Sequence, residues 1–141
     1  DAQYRTEFSV KALTDAGLEV NELFEQRGDW DQAKGQELAA TALAQFGNEI
    51  DVIFCNNDAM ALGAVQAIRD AGRVVNKDIY LLGVDALAEA VELVNAGEMT
   101  GTVLNDHVGQ SHKAADVAIE VAGGAIPEKN YTVDYVMVTG K

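Results

Sequence analysis

Polar side chains follow an apolar run in the middle of the chain, just where a helical pattern begins. The run DVIFC at residues 51–55 is followed directly by NND at residues 56–58. Two later apolar runs also end in polar residues, the first at Asp85 and the second at Asn105. Carboxylate and amide groups accept and donate hydrogen bonds, as vicinal hydroxyl groups require. Asn57, Asp85 and Asn105 are therefore candidate ligand-binding residues.

Three further residues extend this set toward the chemistry of a sugar. Trp30 is the only tryptophan and stands in the loop GDWD, while Asp1 and Arg5 stand near the start of the chain. Arginine supplies a rigid fork of hydrogen-bond donors, and a flat indole covers the apolar face of a sugar ring. The sequence lacks GxGxxG and GxxxxGK[ST], and the carboxylates would repel a phosphate. Together these residues predict a site for a neutral polyol.

Each of these side chains also has a purely structural interpretation. Asp58 and Asp106 could each cap the helix that follows, and Asp85 could cap the next one along. Trp30 could anchor a loop, and Arg5 could be an ordinary surface charge. The joint placement of the residues, rather than any single one, favours binding.

Alternating helical and strand-like patterns position these residues. Helices are predicted over residues 3–16, 31–46, 59–72, 87–97 and 107–122. Strands are predicted over residues 18–26, 51–56, 79–85, 100–106 and 131–138. This order predicts an open, doubly wound, mostly parallel α/β sheet of about five strands with helices on both faces. Ligands bind beyond the carboxyl ends of such strands, where the polar residues stand.

The charge of the chain argues against several partners. Its 141 residues suit one domain, and the formal net charge is −13 without a basic stripe. Nucleic acid and an anionic membrane surface are therefore poor partners. The chain opens inside a helix-like pattern, so we expect residue 1 to lie within a longer protein.

Residues that could support catalysis or bind a metal are sparse. Cys55 is the only cysteine, which excludes an intrachain disulfide, and its apolar surroundings predict a buried, inert thiol. His107 and His112 are five residues apart, which does not align two metal ligands on a helix face. No GxSxG, CxxC or HExxH motif occurs. We therefore predict a protein that is not an enzyme.

Five segments resemble one family along nearly the whole chain. They are DAxxRT from residue 1, WDxA from Trp30, NNDAMAxGAV from Asn56, GVDAL from Gly83 and GTVLND from Gly101. In this order and spacing they resemble the C-terminal lobe of the periplasmic galactose/glucose-binding proteins, a type I periplasmic-binding-protein family of ABC transporters. The ribose-binding relatives and lactose-repressor-type regulators usually show GFD where this chain has GVD.

The resemblance implies a hexose bound between two lobes that close like a hinge. Trp30 would stack on one face of the sugar, and the remaining contacts would be hydrogen bonds to hydroxyl groups from Asp1, Arg5, Asn57, Asp85 and Asn105. It also implies a membrane transporter, a periplasmic or extracellular location and a chemotaxis receptor as a further partner. We expect residues 1–141 to be one lobe, which would bind sugar weakly or not at all without the other.

Family members also hold a calcium ion in a loop of this lobe. The resemblance places one distant carboxylate ligand at Asp51, where the family has Glu. The loop itself would lie upstream of residue 1, so no cofactor is expected in this chain, and calcium would belong to a longer parent.

Two functions from other classes occur on folds of this kind. The effector-binding lobe of a lactose-repressor-type transcription regulator shares the fold, and its gene would encode a helix-turn-helix. An enzyme on a doubly wound fold would need an acid–base or nucleophile set, which the sequence lacks.

Overall fold

The computed structural model describes residues 2–140, which contain five α-helices, one short 3-10 helix and four strands. The helices are α1 (Ala2–Asp15), α2 (Gln32–Phe46), α3 (Asp58–Asp70), α4 (Ala88–Ala96) and α5 (His107–Ala122). The strands are β1 (Val52–Phe54), β2 (Tyr80–Leu82), β3 (Gly101–Leu104) and β4 (Val136–Thr139). Over this part of the chain, every helix is too short or too polar to cross a lipid bilayer.

The four strands form one sheet in the order β1-β2-β3-β4. The first three strands are parallel, with Ile53 opposite Leu81, and β4 runs antiparallel to β3. Helices α3 and α4 connect successive parallel strands, as parallel pairing requires. This arrangement confirms the predicted open, mostly parallel α/β sheet.

The predicted strand over residues 18–26 is wrong, so the sheet has four strands rather than about five. Leu23 and Phe24 pack against the buried core without forming a strand. A strand also needs a neighbouring backbone in register. Within residues 2–140, no backbone hydrogen bond joins the 18–26 segment to β1. The last strand also starts later than predicted, at Val136, because it pairs only with the four residues of β3.

Helices α2 and α3 touch through their backbones because each has a glycine at the contact. A Cβ on Gly63 would lie 2.0 Å from the carbonyl oxygen of Gln32, and a Cβ on Gly35 would lie 2.5 Å from that of Met60. No larger residue fits either position without moving a helix. The loops that precede α2 and α3 are therefore held in a fixed relation.

The buried core lies mainly on one face of the sheet. Successive side chains of a strand point to opposite faces. Leu81 and Thr102 are fully buried on the core face. On the other face Val52, Tyr80 and Met137 are 40%, 52% and 66% exposed, and α1 and α5 contribute no buried residue.

The single cysteine, Cys55, provides a chemical probe of this fold. Burial, aided by the nearby Asp58 carboxylate, raises the pKa of the Cys55 thiol from 9.0 to about 12. Because the thiolate is the reactive form, we expect native Cys55 to react with iodoacetamide at pH 8 about a thousandfold more slowly than in urea-unfolded protein. Mass spectrometry of timed samples measures both rates, and similar rates would contradict a raised thiol pKa at this partly buried residue.

Candidate functional site at the carboxyl ends of the parallel strands

Arg5 connects the predicted site residues to one another. Its Nη1 donates a hydrogen bond of 2.7 Å to the carbonyl oxygen of Asn56, and its Nη2 lies 3.3 Å from Asp85 Oδ1. The guanidinium carbon also stands 5.7 Å from the ring centroid of Trp30, a cation–π distance. The structure thus brings Arg5, Trp30 and Asp85 together at the carboxyl ends of β1 and β2.

Trp30 is presented by a tight turn ahead of α2. Asp29 and Trp30 have positive φ angles of 50° and 64°, and the Asp31 amide donates a 3.0 Å hydrogen bond to the Gly28 carbonyl. Asp31 caps α2 by accepting a 2.8 Å hydrogen bond from the Lys34 amide. Trp30 remains 43% exposed, which leaves indole surface free to contact a flat ligand.

Asn57 is the N-cap of α3, so the prediction that Asp58 caps this helix is wrong. Asn57 has extended backbone angles, and its Oδ1 accepts a 3.0 Å hydrogen bond from the Met60 amide. Asp58 is the first residue inside the helix, where its side chain cannot reach the cap position. The Nδ2 of Asn57 donates a 3.2 Å hydrogen bond to the Trp30 carbonyl and so ties the two loops together.

Asp58 is fully buried and belongs to a polar cluster that sequence reasoning missed. Its Oδ1 accepts a 2.6 Å hydrogen bond from the Thr102 hydroxyl, and its Oδ2 accepts a 2.8 Å hydrogen bond from the Leu87 amide. Burial raises the pKa of Asp58, and these two hydrogen bonds oppose that increase. One signal was available: Asn57 and Asp58 both suit an N-cap, but only one residue can occupy that position.

Asp85 lies in a strained loop between β2 and α4. Its φ is 113° and that of Ala86 is 54°, conformations that cost a non-glycine residue about 1–3 kcal/mol each. The alternative role of Asp85 as a helix cap does not hold, because Leu87 is the N-cap of α4. The Asp85 carboxylate pairs with Arg5 instead.

Asn105 lies beside this group without touching it. The Asp85 amide donates a 2.8 Å hydrogen bond to the Val103 carbonyl, which places the ends of β2 and β3 side by side. Asn105 Oδ1 accepts a 2.6 Å hydrogen bond from Gln110 Nε2. Asp106 caps α5, as predicted, by accepting a 2.9 Å hydrogen bond from the Gly109 amide.

Of the two remaining predicted residues, only Asp51 can be placed, and it lies apart from the site. Asp1 is outside the described residues. Asp51 stands at the start of β1, the opposite end of the strand, and is exposed. Calcium takes six to eight oxygen ligands, whereas residues 2–140 contain no group of three or more acidic, histidine or cysteine side chains that could hold a metal. The described residues therefore do not fit a complete calcium site.

The chemistry of the site suits a hydroxylated ring without ionic charge. Arg5 offers donors, Asp85 offers an acceptor, and the exposed part of Trp30 offers an apolar face. The opposite charges of Arg5 and Asp85 compensate each other, so the site has little attraction for an anion.

Comparisons with known proteins point the same way. Residues 1–126 match a family described as "Periplasmic binding protein domain". The chain is 38% identical over 125 residues to a D-galactose/methyl-galactoside-binding periplasmic protein of Haemophilus influenzae. That alignment covers 88% of this chain and 37% of the relative, so the chain spans well under half the length of this relative.

Two solved structures resemble the fold. A periplasmic solute-binding protein from Actinobacillus succinogenes with bound D-allose superimposes with a TM-score of 0.83 at 27% identity, over 93% of this chain and 45% of that one. A solute-binding protein from Bacillus halodurans with bound myo-inositol gives a TM-score of 0.78 at 32% identity, over 95% and 45%. All three relatives are binding proteins, and the ligands they are named for or bound to are neutral polyhydroxylated molecules.

Proposed function

We propose, from the premise that this chain belongs to the periplasmic binding protein family, that it forms one wall of a sugar-binding cleft in a sugar ABC transporter. The sugar is a hexose such as glucose or galactose. The whole protein works in the periplasm and delivers the sugar to a membrane permease, and a chemotaxis receptor is a second proposed partner. The named relatives favour this role over that of a transcription regulator.

The observation that supports a sugar most directly is the arrangement around Arg5. Its guanidinium lies between the Asp85 carboxylate and the Trp30 ring, so donors, acceptors and an apolar face converge on one rim. A pyranose presents the same combination, with hydroxyl groups around its edge and apolar C–H groups on its faces. Asn57 and Asn105 follow β1 and β3, the strands on either side of β2, and extend the rim for further hydroxyl contacts.

The proposed cleft needs a second wall. Hydrogen bonds to a sugar contribute net affinity only where water is excluded, and the rim on this chain is partly exposed. We therefore propose that residues 1–141 are one of two lobes and that closure of the second lobe excludes water from the site. The chain alone would bind sugar weakly.

Calorimetric titration of the full-length protein tests the sugar assignment. We expect glucose or galactose to bind more tightly than ribose or myo-inositol, and we expect Trp30→Ala to weaken that binding at least tenfold through loss of ring contact. Trp30→Phe is the matched control and should retain most of the affinity. Tighter binding of ribose or inositol would overturn the hexose assignment. An unchanged sugar affinity in Trp30→Ala would show that the sugar binds away from this rim.

A further inference from the structure

We infer that Asp58 is a positioning residue that holds the ligand-binding loop in shape without touching the ligand. The loop runs from Gly83 to Leu87 and carries Asp85, and the inference rests on the proposed function only for what Asp85 binds. Asp58 has no exposed surface, so it can influence a ligand only through the residues it contacts.

One carboxylate oxygen of Asp58 and its backbone amide hold this loop directly. Oδ2 accepts the Leu87 amide at 2.8 Å, while the backbone amide of Asp58 donates a 2.8 Å hydrogen bond to the Val84 carbonyl. Asp58 thus contacts the loop on both sides of Asp85. A Cβ on Gly83 would lie 2.2 Å from Asp58 Oδ1, so the close approach also requires glycine at that position.

Thr102 of β3 is the second anchor of the loop. Its hydroxyl donates a 2.6 Å hydrogen bond to Asp58 Oδ1 and accepts a 3.2 Å hydrogen bond from the Ala86 amide. The loop is therefore held between the first turn of α3 and the middle of β3. Asp58 and Thr102 are the buried polar side chains of the described chain, and each uses its hydrogen-bonding groups on the other or on this loop.

The loop needs such an anchor because its backbone is strained where the ligand is expected. Asp85 and Ala86 both have positive φ angles, which non-glycine residues adopt only when the surrounding structure imposes them. Without the two amide acceptors the loop would relax, and the Asp85 carboxylate would leave its position 3.3 Å from Arg5 Nη2. Arg5 would then lose the partner that orients it over Trp30.

Calorimetry on the full-length protein tests this inference through a double-mutant cycle. We expect Asp58→Asn and Thr102→Val each to weaken glucose or galactose binding about tenfold, and Thr102→Ser, which keeps the hydroxyl, to stay within about twofold of the parent. In an Asp85→Asn background, adding Asp58→Asn should weaken sugar binding by less than about a further twofold, because both substitutions act through the Asp85 carboxylate. Val94→Ala is the control for general destabilisation, since Val94 is buried in α4, and its affinity should match the parent.

A second measurement needs no sugar. We expect faster hydrogen exchange at the Ala86 and Leu87 amides in Asp58→Asn and Thr102→Val. We also expect the fluorescence emission of Trp30 to shift in both variants in the same direction as in Asp85→Asn. If the parent binds no sugar, the proposed function fails, and these two readouts alone decide the role of Asp58. Three outcomes would overturn the inference. The first is unchanged hydrogen exchange and Trp30 emission, and the second is an affinity loss in Asp58→Asn that adds fully to the loss in Asp85→Asn. The third is an affinity loss in Thr102→Ser equal to that in Thr102→Val.

Discussion

Replacing Gly63 with alanine is expected to lower the free energy of unfolding by about 3 kcal/mol. The new methyl group would stand 2.0 Å from the Gln32 carbonyl oxygen and 2.7 Å from the Gln36 amide nitrogen. Both are backbone atoms of α2, so no side-chain rotation can relieve the overlap and the two helices must separate. Urea unfolding followed by circular dichroism measures the loss.

Gly123→Ala is the matched control for this substitution. Gly123 has an ordinary φ of −78°, and the atoms nearest to its missing Cβ are 3.3 Å away at the end of α5. Its free energy of unfolding should change by less than about 1 kcal/mol. A Gly63→Ala protein as stable as the control would show that α2 and α3 are not in backbone contact.

Asp85→Asn is expected to weaken sugar binding roughly 100-fold in the full-length protein. The substitution removes the negative charge that pairs with Arg5. It also replaces a carboxylate oxygen, a strong acceptor for a sugar hydroxyl, with the weaker amide oxygen of asparagine. The side chains of Arg5 and Asp85 are only 15% and 33% exposed, so solvent replaces the lost interaction poorly.

The comparison for Asp85→Asn is Asp116→Asn, which makes the same chemical change on the exposed surface of α5. Calorimetric titration of both variants with the same sugar should give an affinity within about twofold of the parent for Asp116→Asn. Equal affinity in the two variants would place the sugar away from Asp85.

The helices were predictable from the sequence to within about two residues, whereas one predicted strand is absent and the last strand begins only at Val136. The predicted helices over residues 31–46 and 107–122 correspond to Gln32–Phe46 and His107–Ala122, because the period of apolar residues and the caps are local signals. The alternation over residues 18–26 predicted a strand that does not form, although Leu23 and Phe24 in this segment do pack against the core. Pairing depends on a neighbouring backbone, which local alternation does not encode.

The site was predictable where topology alone decides the position. Asp85 follows β2 at the edge where parallel strands end, whereas Arg5 on α1 and Trp30 ahead of α2 approach it through contacts that strand topology does not determine. The roles of Asn57 and Asp58 were not predictable, since both residue types suit an N-cap and the choice depends on where the first helical turn begins. The clamp formed by Asp58 and Thr102 joins residues 44 positions apart, a separation that no local motif reports.

The ion pair between Arg5 and Asp85 has a kinetic consequence. The two charges lie 3.3 Å apart on the same wall, so they form a compact dipole whose field decays over a short distance. The net charge of −13 exerts no long-range pull on a neutral ligand. For the proposed neutral sugar, we therefore expect encounter to be governed by diffusion and by the width of the opening, with an association rate that is insensitive to ionic strength.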